Sequence, residues 1–258
     1  MNKSELEQLA EYGFVTDITL FDELEKNPEL LNTIELSEFV KQVISPMDAA
    51  EAEQKLIEMI STGKAILSES VKMSMPLSIA ATHASIDLNN NNIDAPLFSE
   101  SNGEIIEGGT DSYAFWVKEG GELVIDGEGL IKTQPCKYSM AVWADGGNVT
   151  INGGTYENAG EGSDLIYASN GGNVTINGGT FKPCETQSGI DGTKNTHSAL
   201  NVKDKDYKSG ASSIIVKGGK FYNFNPANNL SEGPNTNFVA EGYESVEVEP
   251  NVWEVRKV

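Results

Sequence analysis

The sequence predicts a mainly β protein: a single-stranded, right-handed parallel β-helix, a three-faced solenoid, preceded by a small α-helical N-terminal domain. Three observations predict it. Gly146-Gly147-Asn148-Val149-Thr150-Ile151-Asn152-Gly153-Gly154-Thr155-Tyr156 recurs 25 residues later as Gly171-Gly172-Asn173-Val174-Thr175-Ile176-Asn177-Gly178-Gly179-Thr180-Phe181. Each period holds three short strand-like runs separated by Gly/Asn turns, as in Leu165–Ser169, Asn173–Asn177 and Thr180–Lys182. The 258 residues include 26 glycines, more than a helical bundle of this size needs. A fixed period of 20–30 residues with paired glycines denotes a solenoid, and three runs per period give three faces. Right-handed coiling is the default for parallel crossovers.

Residues 1–63 carry the helical signals. Ser4 and Glu7 form a capping box and Gly13 ends that helix. A second segment starts near Asp17 and breaks at Asn27-Pro28, and a third covers Leu30–Ile44. Ser45-Pro46 opens a helix that runs over Met47–Ser61 to a stop at Gly63. Its apolar spacing at Leu56, Ile57 and Ile60 predicts one buried stripe. This domain is either a plain helical unit or an anchoring or assembly module.

Residues 64–236 are the predicted β-helix. Residues 64–80 form its first, irregular coil. A weaker copy of the repeat lies at Gly120–Gly127 and another at Ile214–Phe221; the longer spacing to the last places extra residues in loops around 183–197 and 204–213. Alternation along a strand assigns sides. On the second run Leu123/Ile125, Val149/Ile151, Val174/Ile176 and Ile214/Val216 face inward. On the third, Tyr156, Phe181 and Phe221 make an internal aromatic column. On the first run the later copy decides the phase, since Leu200 and Val202 are apolar while Asn201 and Lys203 are polar; aligning the repeats on it turns Phe115/Val117, Ala141/Trp143 and Ile166/Ala168 inward. The outward positions are then Trp116, Val142 and Tyr167, with Ala114, Met140 and Leu165 beside them. A solvated strand should alternate with polar residues, so this apolar stripe is the candidate contact surface. Its occupant is a loop or the N-terminal helices of the same chain, a second copy, or a stacked carbohydrate. Asn148/Asn173 and Asn152/Asn177 are expected as amide ladders at the turns. Residues 237–258 form a C-terminal β-hairpin cap turning on Pro250-Asn251.

Composition narrows the function. There are 39 Asp+Glu against 18 Lys+Arg, a net charge of −21. Phosphate binding needs clustered cations, and anionic lipid repels such a chain, so neither nucleic acid nor a membrane is an expected partner. No apolar run reaches the ~20 residues of a membrane helix, and no signal-peptide core opens the chain; synthesis in a cytoplasm without export by that route is expected. Cys136 and Cys184 make neither a disulfide framework nor a zinc site, and free thiols are expected. Glycoside hydrolysis needs two carboxylates at a set separation. Asp126, Asp145, Asp164 and Asp191 are the candidates, yet Asp126 has Asn152, Asn177 and Lys217 as counterparts, so no carboxylate column forms. The single arginine, Arg256, lies outside the repeat, and His83 and His197 are far apart. No catalytic residue is assigned and no cofactor or metal is expected. The loop Glu157–Asp164 supplies oxygens but matches no calcium signature.

Gly63-Lys64-Ala65-Ile66-Leu67, Ser85-Ile86-Asp87-Leu88-Asn89, the Gly-Gly-Asn-Val-Thr-Ile-Asn-Gly-Gly coils, and the closing Asn237–Tyr243 with Trp253-Glu254-Val255 resemble a β-helix family of gut-associated bacterial and bacteriophage proteins. The resemblance covers residues 64–258. Members with a short helical N-terminal domain and no secretion signal resemble phage virion proteins, including head fibres and capsid decorations. The resemblance implies a non-enzymatic homo-oligomer, a trimer by preference. Residues 1–63 would attach to a capsid or other virion protein and the β-helix would project. The alternative is a tailspike-like or cell-surface glycan-binding protein with a host-surface glycan as partner, including one that degrades polysaccharide as a lyase or hydrolase. The family's Leu-Asn-Gly-Lys turn has Asn90-Asn91 here.

Overall fold

The computed structural model describes residues 49–101, 104–136, 138–158, 164–183 and 199–258. The chain divides into two compact units, Met1–Asp48 and Ala49–Val258. The helices expected within residues 1–48, most of the loop at 183–197, and with them Cys184, Asp191 and His197, lie outside the described residues. Helix α1 (Ala49–Ser61) belongs to the second unit.

The second unit is mainly β, with most strands in parallel sheets. One sheet contains β1 (Lys64–Ile66), β4 (His83–Asp87), β9 (Glu122–Asp126), β12 (Asn148–Ile151), β15 (Asn173–Ile176) and β18 (Ser213–Val216), in that order and all parallel. A second runs β2 (Val71–Lys72), β5 (Asn91–Asp94), β10 (Gly129–Lys132), β13 (Thr155–Glu157), β16 (Thr180–Lys182), β19 (Gly219–Tyr222). The third holds β3 (Leu77–Ile79), β8 (Asp111–Lys118), β11 (Tyr138–Asp145), β14 (Ile166–Ser169) and β17 (Leu200–Val202). The chain therefore visits the three sheets in cyclic order, and each strand pairs with its counterpart one period away. Residues 64–80, expected as an irregular coil, already give one short strand to each sheet.

Register follows the repeat on two of the sheets. Val149 pairs with Val174 and Ile151 with Ile176; Leu123, Ile125, Ile214 and Val216 continue the same rows. All eight side chains are buried. Burying an aliphatic side chain of this size contributes about 1.5–3 kcal/mol, and the alternation repeats that gain along the whole stack. Tyr156, Phe181 and Phe221 form the expected column, with ring centroids 5.0 and 4.6 Å apart and planes 6° and 9° from parallel.

The corners explain the glycines. At Gly171-Gly172 the first residue has φ 92°, and a Cβ on the second would stand 2.0 Å from the Ala144 carbonyl oxygen. One glycine supplies the left-handed turn and the next lets adjacent backbones touch. Asn89 and Asn90 take the left-handed conformation themselves (φ 47° and 63°). Asparagine tolerates that region, so the turn expected to hold glycine still delivers β4 and β5 into register with β9 and β10.

Both ends of the stack are covered. Helix α1 packs on β1, β2 and β4 through Ala52, Leu56 and Ile60; Ile57, expected in that stripe, is exposed. The buried Glu53 carboxylate accepts the Ser74 and Met75 N–H groups (2.8 and 3.2 Å). At the far end β21 (Val252–Lys257) pairs antiparallel with β19, and β20 (Tyr243–Glu249) pairs with β21. The turn uses Asn251 at φ 59°. Glu244, Glu247 and Glu249 line the last edge, and like charges there oppose strand addition. Phe224 and Phe238 cover the last aromatic, Phe221, and the end of β18. The segment before β8 contains a hairpin the sequence did not suggest, β6 (Phe98–Ser101) and β7 (Glu104–Glu107), which meets β8 at Phe98 and Asp111.

Candidate contact face

The third sheet carries the apolar stripe, but not with the expected membership. Trp116 pairs with Trp143, and Trp143 with Tyr167; Val142 instead pairs with Phe115 and Ile166, in the fully buried row. Val142 is therefore a core residue and Trp143 takes its place on the outer face. The reason lies in loop length. Trp116 and Tyr167 stand four residues before their glycine pairs, Trp143 only three before Gly146. Aligning repeats by glycine slips this strand by one residue, and a one-residue slip exchanges the two faces of a strand. The aromatic–small–polar triplets Trp116-Val117-Lys118, Trp143-Ala144-Asp145 and Tyr167-Ala168-Ser169 contain the correct alignment.

A second irregularity gathers the cluster. Tyr113 pairs with Met140, and the ladder omits the next pair, Ala114 and Ala141. Strict alternation would put Tyr113 and Trp116 on opposite faces, yet their rings are 6.3 Å apart and edge-to-face. Tyr113 also meets Trp143 at 5.2 Å and Phe98 of the inserted hairpin at 4.9 Å. Phe98, Tyr113 and Met140 form a buried cluster against which Trp143 and Tyr167 pack. Leu165 is fully buried and Met140 nearly so. Of the expected stripe, Tyr167 stays half-buried, as does Trp143, while Trp116 is 7% exposed. The inserted hairpin thus covers part of the face with the chain's own Phe98.

Trp116 and Trp143 stack face to face, 4.9 Å apart and 4° from parallel. The Lys118 ammonium lies 3.8 Å from the Trp116 ring centre, a cation–π contact. Trp143 continues to Tyr167 at 6.2 Å. The ring faces are spent on one another along the stack, which leaves a saccharide little face to stack on. Asp145 fixes the polar edge. It accepts the Trp116 indole N–H (3.0 Å), the Ser169 hydroxyl (3.1 Å) and the Asn170 amide (2.6 Å), while Ser169 accepts the Trp143 indole N–H (2.9 Å).

Carboxylates surround the lower end. Asp164, buried, accepts the Asn201 amide (2.8 Å). Asp206, also buried in helix α2 (Asp204–Ser209), accepts the Asn170 N–H, and Glu232 Oε1 accepts the Val202 N–H (2.7 Å). Glu232 Oε2 is buried without a hydrogen-bond partner. Burial, then Asp204 and Asp164, push the Glu232 carboxyl up to about 7 against the opposing Val202 hydrogen bond. Burial and the same acidic surroundings push the Tyr167 hydroxyl up to about 12. Among the other carboxylates considered, Asp126 accepts the Asn152 amide (2.7 Å) and so caps an amide ladder that continues from Asn177 to Asn152 (2.8 Å). Asn173 and Asn148 make the second ladder (3.4 Å). His83 pairs with Glu122 across strands (2.6 Å) and Arg256 with Glu244 (3.0 Å). Cys136 is a free thiol. Among the described residues no group of three or more His, Cys, Asp or Glu is arranged to hold a metal, and no helix is long and apolar enough to cross a membrane.

No protein-family model matches the chain, no curated protein is significantly similar to it, and no solved structure matches its fold.

Proposed function

We propose that residues 64–236 wind as a single-stranded right-handed parallel β-helix, and that the protein is a non-enzymatic structural component of a phage virion, a head fibre or capsid decoration. Residues 1–63 attach it to a capsid or other virion protein, and the β-helix projects as a rigid shaft. The cyclic order of strands through three parallel sheets supports the winding, since one chain covering three faces in turn traces a coil. The observation that carries the structural role is where the side chains are invested. Amide ladders at the corners, an aromatic column inside and a tryptophan stack outside all stiffen the stack lengthwise, and Asp126 and Asp145 serve that scaffold. The motif resemblance over 64–258 supplies the virion setting.

The half-buried Trp143 and Tyr167 supply the surface for self-association, and a homotrimer is the preferred assembly. Light scattering on the purified full chain tests this, with the mass of three 27.8 kDa chains expected. Immunogold electron microscopy of virions should place it on the head. A monomer that labels no particle, or turnover of a capsular polysaccharide, would overturn the reading.

A further inference from the structure

We infer that an open cleft at the C-terminal end of the stack, between the loop after β19 and the β20–β21 hairpin, binds a neutral saccharide through the Trp253 indole and the side chains of Asn225, Asn228, Asn251 and Glu247. The cleft encloses about 430 Å³, within the roughly 300–1,000 Å³ of small-molecule sites. Its chemistry differs from that of the tryptophan stack. Trp253 is half-buried, makes no ring contact among the described residues, and its indole N–H meets no protein acceptor there. The Trp253 ring lines the cleft with neither an aromatic nor a cationic partner on its face among the described residues, unlike Trp116 and Trp143.

The polar groups divide into scaffold and free valences. Asn229, 4% exposed, spends its amide on the Asn225, Pro226 and Thr236 carbonyls and its oxygen on the Ser231 N–H, so it holds the loop. Asn225 uses only its oxygen, accepting from Ala227 N–H and the Ser245 hydroxyl (both 3.0 Å). Its NH₂ group remains, with the whole side-chain amides of Asn228 and Asn251 and one oxygen of Glu247, whose other oxygen accepts the Asn251 N–H (2.9 Å). Planar amides and carboxylates present paired valences that suit vicinal hydroxyls. No cation lines the cleft. With Glu247 in it and −21 on the chain, uronates and sialic acids are repelled. The ligand class is therefore a glycan of neutral hexoses or N-acetylhexosamines.

The inference stands on the cleft alone and holds whichever particle carries the chain. The full-length protein is screened on an array of neutral hexose and N-acetylhexosamine glycans beside sialylated and uronate-containing ones. The best neutral glycan is then titrated by isothermal calorimetry. Saturable binding to a neutral member is expected, weakened at least tenfold by Asn228→Ala and by Trp253→Ala and unchanged by Ile66→Ser, a change at an exposed side chain of the first coil. Asn228 is exposed and its side chain has no protein partner, so its removal leaves the melting temperature unchanged and decides the matter should Trp253→Ala unfold. Binding to no neutral glycan overturns the inference. So does binding that survives Asn228→Ala undiminished, or that is lost in Ile66→Ser.

Discussion

The Trp116 and Trp143 rings stack 4.9 Å apart and 4° from parallel, although 27 residues separate them rather than the 25 of the repeat. One of the two extra residues is returned at the next step, where Trp143 meets Tyr167 after 24. The sheet keeps its register while the loops between strands change length.

That register makes opposite predictions for neighbouring residues. Val142→Ser places a hydroxyl in the sealed row between Phe115 and Ile166 and should cost about 2–3 kcal/mol. Trp143→Ser and Tyr167→Ser act on the outer face. Together they should shift the assembly toward monomer, which Val142→Ser should not do. Light scattering and thermal melting on the three variants separate the two effects.

The glycine pairs divide their work, and substitution should expose the division. Gly172→Ala drives a Cβ against the Ala144 carbonyl and should cost about 1–3 kcal/mol by overpacking. Gly171→Asn meets no atom within 4 Å and keeps a residue that tolerates positive φ, so its cost should stay below about 1 kcal/mol. Chemical denaturation of each variant checks the order.

Phe181 lies between Tyr156 and Phe221 and stacks on both. Phe181→Ala should cost about 3–5 kcal/mol. Phe181→Tyr adds a hydroxyl where Tyr156 already carries one, bonded to the Gly153 carbonyl (3.1 Å), and should be much milder.

Glu232 ties stability to pH. Its folded carboxyl is pushed up to about 7 from an ordinary 4.5, so between these values the folded state holds the proton and the unfolded state has released it. Stability from this group is whole below pH 4.5 and declines as pH rises through 7. Because the group is half-exposed, solvent screening limits the change to on the order of 1 kcal/mol. Glu232→Gln should remove this part of the slope in denaturant titrations at pH 5 and pH 8.

Cys136 gives a chemical readout. Burial, and to a lesser degree Asp111, raise its thiol to about 11 against a smaller lowering influence of the Tyr138 backbone. In a Cys184→Ser background, alkylation at pH 8 should run about two orders of magnitude slower than for a free cysteine and quicken through pH 10.

The sequence made the repeating part of the fold legible because alternation and glycine spacing there obey one period: the Val149–Val174 and Tyr156–Phe181 rows stand where that period puts them. The third sheet was legible only in part. A one-residue change in the loop before Gly146 exchanged Val142 for Trp143, and the broken alternation at Ala114 brought Tyr113 to the outer face. The β6–β7 hairpin had no repeat to announce it, so Phe98 as a cover for the stripe could not be foreseen. The cleft at Trp253 unites residues from two segments that lie near one another only once β21 has paired with β19.

The central claim is that successive 25-residue segments lie directly on one another. Cysteine cross-linking tests it in a Cys136→Ser, Cys184→Ser background. Thr150 pairs with Thr175, and Thr175 with Ile215, on one outer row. Adjacent parallel strands are ~4.8 Å apart and next-but-one strands ~9.6 Å, against the 4.4–6.8 Å between Cα atoms that a disulfide spans. Mild oxidation should join Thr150→Cys to Thr175→Cys within one chain and leave Thr150→Cys with Ile215→Cys unjoined. Equal cross-linking of both pairs, or of neither, would contradict the account.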